Sequence, residues 1–257
     1  MVKIKRIKRK ILKTYVDIVS YEQAIERIIY WAKNRDTKYV SIMNINDLVK
    51  SWIDIDYRKI TSKADLSSPD GAPLAFILRL YGFREQKRVT GPDLMYKLIP
   101  ILANLNLKIL FYGSTNEILE KISRKIKKSY NCENFYFKSP PFRELTKEED
   151  IQISREIRKL NPHLIFVGLG CPKQDLWIFE KKQLINSVFI GVGAAFDFYA
   201  DESKRAPSFM QDNGLEWLYR LYQNPRKLFK RYFKNIFLFT IGIIIQFFGE
   251  IKKYFRN

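Results

Sequence analysis

NPHLIFVGLGCPKQD, residues 161–175, joins a helix stop, a short apolar run and a glycine-rich turn. His163 to Val167 (HLIFV) has the composition of a buried strand, and Gly168 to Gln174 leaves it as a loop. Just upstream, Thr146 with Glu149 at the capping-box spacing opens a charged helix that runs to Leu160. Downstream, Phe189 to Val192 repeats the pattern, ending in Gly193 before Phe196, Asp197 and Phe198. Further back, Lys108 to Tyr112 reads as a strand ending at Gly113 and Ser114. A helix over 116–130 and a short strand at Phe135 to Phe137 follow. Strands alternating with helices at this spacing predict an α/β fold. The sheet is Rossmann-like, largely parallel and flanked by helices, with its loops gathered at the strands' carboxyl ends.

The first hundred residues continue the alternation. Ser20 with Gln23 caps a helix, and Lys38 to Met43 (KYVSIM) forms a strand ending at the polar residues Asn44, Asn46 and Asp47. That cluster suits ligand contact, and equally a cap on a helix over 47–53. Ala64 to Ser67 reads as a strand, Ser68-Pro69-Asp70-Gly71 as a turn and Ala72 to Leu80 as a core helix. Asp70 thus falls in a strand-to-helix loop, where local pattern alone makes it an Asx-turn or cap. Arg88 then precedes the break Thr90-Gly91-Pro92, with Asp93 opening a helix. This is a phosphate or carboxylate site, or simply a capped helix start.

The 257 residues carry a formal charge of +19, concentrated in the N-terminal KIKRIKRKILK (3–13) and in the last quarter. Such an imbalance calls for nucleic acid, anionic lipid or a phosphorylated substrate. Two basic ends around a near-balanced middle favour surface docking. Cys132 and Cys171 give no disulfide framework, and Ile11 and Leu12 are followed at once by Lys13, so no signal-peptide core forms. A cytosolic location is expected. YGSTNE, VGLGCPKQ and GVGAAFDF each lack a full GxGxxG fingerprint, which argues against a Rossmann oxidoreductase. His163 is the single histidine, so a general base must be a carboxylate, lysine or tyrosine, and no zinc set is present.

Residues 1–200 read as the α/β core and 201–257 as a basic, apolar, helical appendage. Asn224 and Pro225 divide that appendage into two helices, Asn as N-cap and Pro at the first helical position. Leu218, Leu221, Tyr222, Leu228, Phe229, Tyr232 and Phe233 can share one face, away from Arg220, Arg226, Lys230 and Arg231. Ile236 to Phe248 is apolar apart from Thr240 and Gln246. At about 20 Å it falls short of a hydrocarbon core of about 30 Å. Insertion into one leaflet is the preferred reading, flanked by Lys234 on one side and Lys252, Lys253 and Arg256 on the other; a tilted span or a contact with a second copy are the alternatives.

Taken in order, these segments resemble the WecG/TagA/CpsF glycosyltransferases. The matching pieces are Asn44, SPDGAP (68–73), RVTGPDL (88–94), FYGS (111–114), NPHLIFVGLGCPKQD (161–175), GVGAAFDF (191–198), RAPSFMQDNGLEWLYRL (205–221) and NPRKLFKRY (224–232). The resemblance implies an inverting transfer of a sugar, typically N-acetylmannosamine, from a UDP donor to a lipid-diphosphate-linked GlcNAc-type acceptor in bacterial cell-surface polysaccharide or teichoic acid synthesis. It implies no cofactor and no metal. Asp70 matches the family's proposed general base, and Arg88 is the core's candidate for stabilising the departing diphosphate. Lys173 and Gln174 suit nucleotide or sugar recognition. Asn44, Gly71, Thr90, Gly91, Asp93, Gly113 and Gly168 complete the expected core contacts. Arg205, Arg220, Arg226 and Arg231 would bring positive charge from the appendage. Asp175 stands where the family usually has Glu, Asp201 where it has Gly, and Ile42 where it often has Thr. The expected partners are the UDP-sugar, the lipid-linked acceptor, the inner face of the cell membrane and a second copy of the chain, with no nucleic acid. A chain ending near Ala200 is expected to fold but lose transfer. The rival reading is a basic nucleic-acid-binding α/β protein, with strongly salt-dependent binding.

Overall fold

The computed structural model describes residues 6–130, 132–201 and 204–254. Residues 3–5 of the N-terminal basic run, and Arg256 of the tail, lie outside them. Six strands form one parallel sheet in the order β4-β3-β8-β7-β5-β6. They are β3 (Lys38–Met43), β4 (Leu66–Pro69), β5 (Ile109–Gly113), β6 (Phe135–Lys138), β7 (Leu164–Gly168) and β8 (Val188–Gly191). The chain moves from β3 to one edge and from β5 to the other. It then returns through β7 and β8 into the middle, so the loops after β3, β7 and β8 converge.

Both sheet faces are covered, which is why the strands read as nearly unbroken apolar runs. The pleat sorts them: Ile109, Phe111, Leu164, Phe166, Val188 and Ile190 face one core cluster, while Leu110, Tyr112, Ile165, Val167 and Phe189 face the other. Helices α1 (Tyr21–Lys33), α5 (Gly91–Asn104) and α6 (Asn116–Ser129) cover the first face. Helices α7 (Lys147–Leu160) and α8 (Lys173–Lys181) cover the second. The β4 strand lies two residues later than the sequence suggests. It is an edge strand, where the missing N–H of Pro69 costs no ladder bond.

The basic N-terminus is a separate antiparallel hairpin, β1 (Lys8–Ile11) with β2 (Thr14–Asp17). The buried Asp17 carboxylate fastens it to the sheet, accepting from Ser67 N at 2.7 Å and from Arg6 Nη2 at 2.7 Å. A third core cluster fills the space between this hairpin, α2 (Ile45–Ile53) and α4 (Ala72–Leu80).

The last helix, α12 (Pro225–Tyr254), closes that third cluster. Phe239 is buried in it, and Gly242 lies so close to Leu12 and Trp52 that a Cβ there would stand 2.7 Å from Leu12 Cδ2. The Gln246 amide satisfies the hairpin turn, accepting from Leu12 N at 2.6 Å and donating to Lys10 O at 2.9 Å. Two expectations are corrected here. The apolar run 236–248 is not a short separate element but part of a 30-residue helix. Its stretch Leu228–Lys253 is long and apolar enough to cross a membrane by length and composition. The appendage is also packed into the body, so a chain cut near Ala200 would uncover Leu12, Leu48 and Leu74 rather than leave an intact core. The shared apolar face expected over 218–233 is divided between α11 (Glu216–Gln223) and α12, with Leu228 buried but Tyr222, Phe229 and Phe233 exposed.

Candidate active site

Two cavities open side by side over the carboxyl ends of the strands. One, of about 790 Å³, lies over β5 and β7 and is lined by Ser114, Thr115, Lys173, Trp177 and Asp197. The other, of about 680 Å³, lies over β3 and β4 and is lined by Asn44, Asp70, Gly71, Arg88, Thr90 and Trp217. Gly170, Gly193, Ala194, Arg220, Arg231 and Tyr232 line both.

Asp70 occupies the loop that leaves β4. Its N–H donates to Met43 O at 2.8 Å, extending the pairing with β3 by one residue. Gly71 then turns the chain into α4 at φ 92°, a conformation that costs glycine little. Among the described residues no donor sits on the Asp70 carboxylate, which is partly open to the cavity yet deep in the protein. Burial pushes its pKa up, the Arg220 and Arg88 charges pull it down, and Glu216 opposes them; the outcome is about 6. A carboxyl poised there is ionised at neutral pH and still basic enough to accept a proton.

Glu216 holds the arginines around Asp70. Its carboxylate pairs with Arg88 Nη1 at 3.0 Å and lies 3.9 Å from Arg205 Nη2 and from Arg220 Nε. Arg220 also lies over the Phe198 ring, 4.6 Å from its centroid. Arg205 is held from behind by Asp93, which also accepts from Thr90 Oγ1 at 2.7 Å and Tyr21 OH at 3.0 Å. Burial raises the Asp93 carboxyl, but the Arg205 and Thr90 hydrogen bonds overrule it and hold it below its usual range. Arg143, Lys173, Arg220 and Arg231 against Asp197 leave the first cavity with a net positive lining suited to a diphosphate. Sequence reasoning passed over Glu216. Its signal was its position four residues before Arg220 in an otherwise basic stretch. Glu216→Gln removes a charge that raises Asp70, so the acid limb of the pH–rate profile moves to lower pH. With the arginines released, kcat/KM falls roughly ten- to hundredfold; a pH series of initial rates reads both.

Beneath the second cavity lies a buried polar cluster. Asp175 accepts from Tyr39 OH and, at 2.8 Å, from Tyr57 OH. Asp47 accepts from Asn44 N at 3.1 Å. Cys171 Sγ lies 3.3 Å from both Tyr57 OH and Asn46 Nδ2. Asn235 of α12 donates to Asn46 Oδ1 at 2.9 Å, tying the last helix to the cluster. Among the described residues Asp47, Cys171 and Asp175 are the one acid–thiol group close enough to share an ion. Their atoms already serve this hydrogen-bond network. Burial, then the Asp175 charge, raises Asp47 to about 7; burial also raises Asp175. A carboxyl that ionises near 7 when folded, against 3.8 in the unfolded chain, keeps its proton longer in the fold. Its contribution to stability is complete below about pH 4 and is lost as pH rises through about 7. Asp47→Asn therefore narrows the drop in Tm between pH 5 and pH 8 by about 2 °C or more, read by thermal melts at the two pH values.

The remaining expected residues divide. Thr90, Gly91 and Asn44 line the second cavity and Lys173 the first. The Asn44 side chain is also spent as the N-cap of α2, accepting from Asn46 N and Asp47 N. Gln174 lines the second cavity while its Oε1 accepts from Gly193 N at 3.0 Å, fixing the loop after β8. Four residues, Gly113, Asp93, Arg205 and Arg226, line neither cavity and are corrected. Gly113 lines neither cavity; it permits β5 to approach β7, since a Cβ there would lie 2.7 Å from the Gly168 carbonyl. Gly168 lines the first cavity, and its lack of a side chain also makes room for the Phe196 ring, which a Cβ would meet at 2.6 Å. Asp93 and Arg205 stand behind the cavity wall as a mutual pair. Arg226 is exposed and lines neither cavity, because the turn of α12 that carries Arg231 inward places it elsewhere.

Residues 9–253 match the profile of the Glycosyl transferase WecG/TagA/CpsF family. The chain is 31% identical over 173 residues to the N-acetylglucosaminyldiphosphoundecaprenol N-acetyl-beta-D-mannosaminyltransferase of Bacillus subtilis (strain 168), covering 67% of this chain and 66% of that protein. It is 29% identical over 172 residues to the enzyme of the same name from Bacillus spizizenii, covering 66% and 65%. With its namesake from Staphylococcus aureus (strain MW2) it shares 25% identity over 223 residues, or 86% of each chain. The matched stretch thus spans slightly less than two thirds of the two Bacillus proteins.

Proposed function

The chain belongs to the WecG/TagA/CpsF glycosyltransferase family, and on that premise we propose that it moves N-acetylmannosamine or a related sugar from a UDP donor to a GlcNAc-type acceptor carried on a polyprenyl diphosphate. The names of the relatives support the acceptor class and the sugar. The observation that carries the chemistry is Asp70: a carboxylate with no donor on it among the described residues, ionising near 6, in the wall of the second of two cavities that share two arginines.

The UDP moiety occupies the first cavity, where Lys173 and the N-terminus of α6 meet its phosphates. The acceptor sugar enters the second. As the acceptor hydroxyl attacks the anomeric carbon, Asp70 takes its proton. The bond from that carbon to the donor oxygen breaks, and its electron pair leaves with UDP, inverting the anomeric centre. Arg220 and Arg231, on the boundary, meet the negative charge that grows on the leaving diphosphate. Fixed guanidinium groups do there what a divalent metal does in other transferases, so no metal is required.

The protein rests on the cytoplasmic leaflet. The hairpin contacts of Gln246, and the Arg9–Glu250 ion pair beside them, keep α12 on the body, so the helix lies along the membrane rather than across it. Release of UDP from a panel of UDP-sugars, with and without a short-chain diphosphoryl-GlcNAc acceptor, tests the reading. Acceptor-dependent release from UDP-N-acetylmannosamine supports it; no acceptor-dependent release from any donor counts against it.

A further inference from the structure

The second cavity has an arm that the chemistry at Asp70 leaves unused. It runs out between α4 and α12, with Phe76 and Ile77 on one wall and Ile236 and Phe239 on the other. Thr240 lines the same arm, and its hydroxyl donates to Ile236 O at 2.9 Å, so it makes no demand on a ligand. The two helices leave the site in the same direction. At the inner end α4 begins beside Asp70, and α12 passes Arg231 and Asn235. At the outer end Gln246 Nε2 donates to Tyr81 OH at 3.0 Å. The trough between them is therefore roughly 16 Å long. Phe76 is 52% exposed, and one helical turn further out from Phe76 and Thr240 the chain presents Leu80, 68% exposed, and Ile244, 49% exposed, as an apolar, open rim.

From the site outward, the order is arginine cluster, apolar walls, exposed apolar rim. A sugar or nucleotide has no use for such walls. An amphiphile with a diphosphate head and a hydrocarbon chain presents the same order of chemistry. We propose that the trough between α4 and α12 seats the first isoprene units of the lipid-linked acceptor, with its diphosphate at Arg88, which lines the second cavity and not the first. This rests on the transferase reading above and adds the path by which the chain leaves the site. The rim then delivers the rest of the chain to the bilayer on the side where α12 is exposed.

The test compares two acceptors bearing the same diphosphoryl-GlcNAc head, one on a short alkyl chain and one on a polyisoprenoid, in one detergent. The readout is the ratio of kcat/KM, long over short. The unsubstituted protein is expected to prefer the long chain by roughly tenfold or more, since each buried methylene contributes. Thr240→Trp, which fills the trough, and Phe76→Asn, which makes one wall polar, should each bring the ratio towards one. An unchanged ratio in both variants, or a ratio near one in the unsubstituted protein, would overturn the proposal. So would a sedimentation shift from dimer to monomer in both variants with the ratio kept, which would assign the trough to a second copy of the chain. Transfer to neither acceptor by the unsubstituted protein would instead overturn the reaction itself, and this path with it.

Discussion

Asp70→Asn is expected to lower kcat by about 10²- to 10⁴-fold, the usual contribution of a general base, while UDP binding stays close to normal. The amide keeps the shape of the carboxyl and cannot take the acceptor proton. No hydrogen bond is lost in the exchange, because among the described residues none is made to this carboxylate. The pH profile carries the more specific signature. The unsubstituted protein should lose rate as pH falls through about 6, where Asp70 becomes protonated. In Asp70→Asn that acid limb should vanish from whatever rate remains. Turnover near the unsubstituted level would remove Asp70 from the chemistry.

Arg220→Ala should have an effect of similar size and a different signature. Arg220 lines both cavities and is the largest neighbouring charge holding the Asp70 pKa down. Its loss removes stabilisation of the departing diphosphate, which costs about 10²- to 10³-fold in kcat. It also lets burial carry Asp70 higher, so the acid limb should move above pH 6. Glu216→Gln moves the same limb the other way, and the opposite signs separate an electrostatic network from general damage. Arg226→Ala is the comparison, since this residue is exposed and lines neither cavity; its rate should stay within about twofold, as surface substitutions do. Equal losses for Arg220→Ala and Arg226→Ala would count against the placement of the diphosphate.

The parallel sheet was legible because its strands are buried on both faces, and each ends in a glycine or polar loop that stops the apolar run. The same logic placed Asp70, since a strand followed at once by Pro-Asp-Gly has to expose its next residues at the sheet's ligand edge. It misjudged Gly113, which lines neither cavity. A glycine at a strand end looks alike whether it approaches a phosphate, a neighbouring strand or an aromatic ring.

The hairpin and the docking of α12 were not legible, for a common reason. Both depend on long-range polar contacts, Asp17 with Ser67 and Gln246 with Leu12, that leave no local period. An apolar helix with a single glutamine reads as a membrane element, and only the three-dimensional neighbours show that the glutamine marks its inward face. Glu216 was hidden among basic residues because its value lies in which arginines it orders, and two of the three are remote in sequence or loop-borne.

Sugar transfer from UDP should need the protein's own carboxylate and arginines and no metal. The direct measurement is product mass after incubating the purified protein with UDP-N-acetylmannosamine, a diphosphoryl-GlcNAc lipid and excess chelator. The acceptor should gain the mass of one N-acetylhexosamine residue, at a rate that added magnesium or manganese does not change. An acceptor left unmodified until a divalent cation is supplied would contradict the claim.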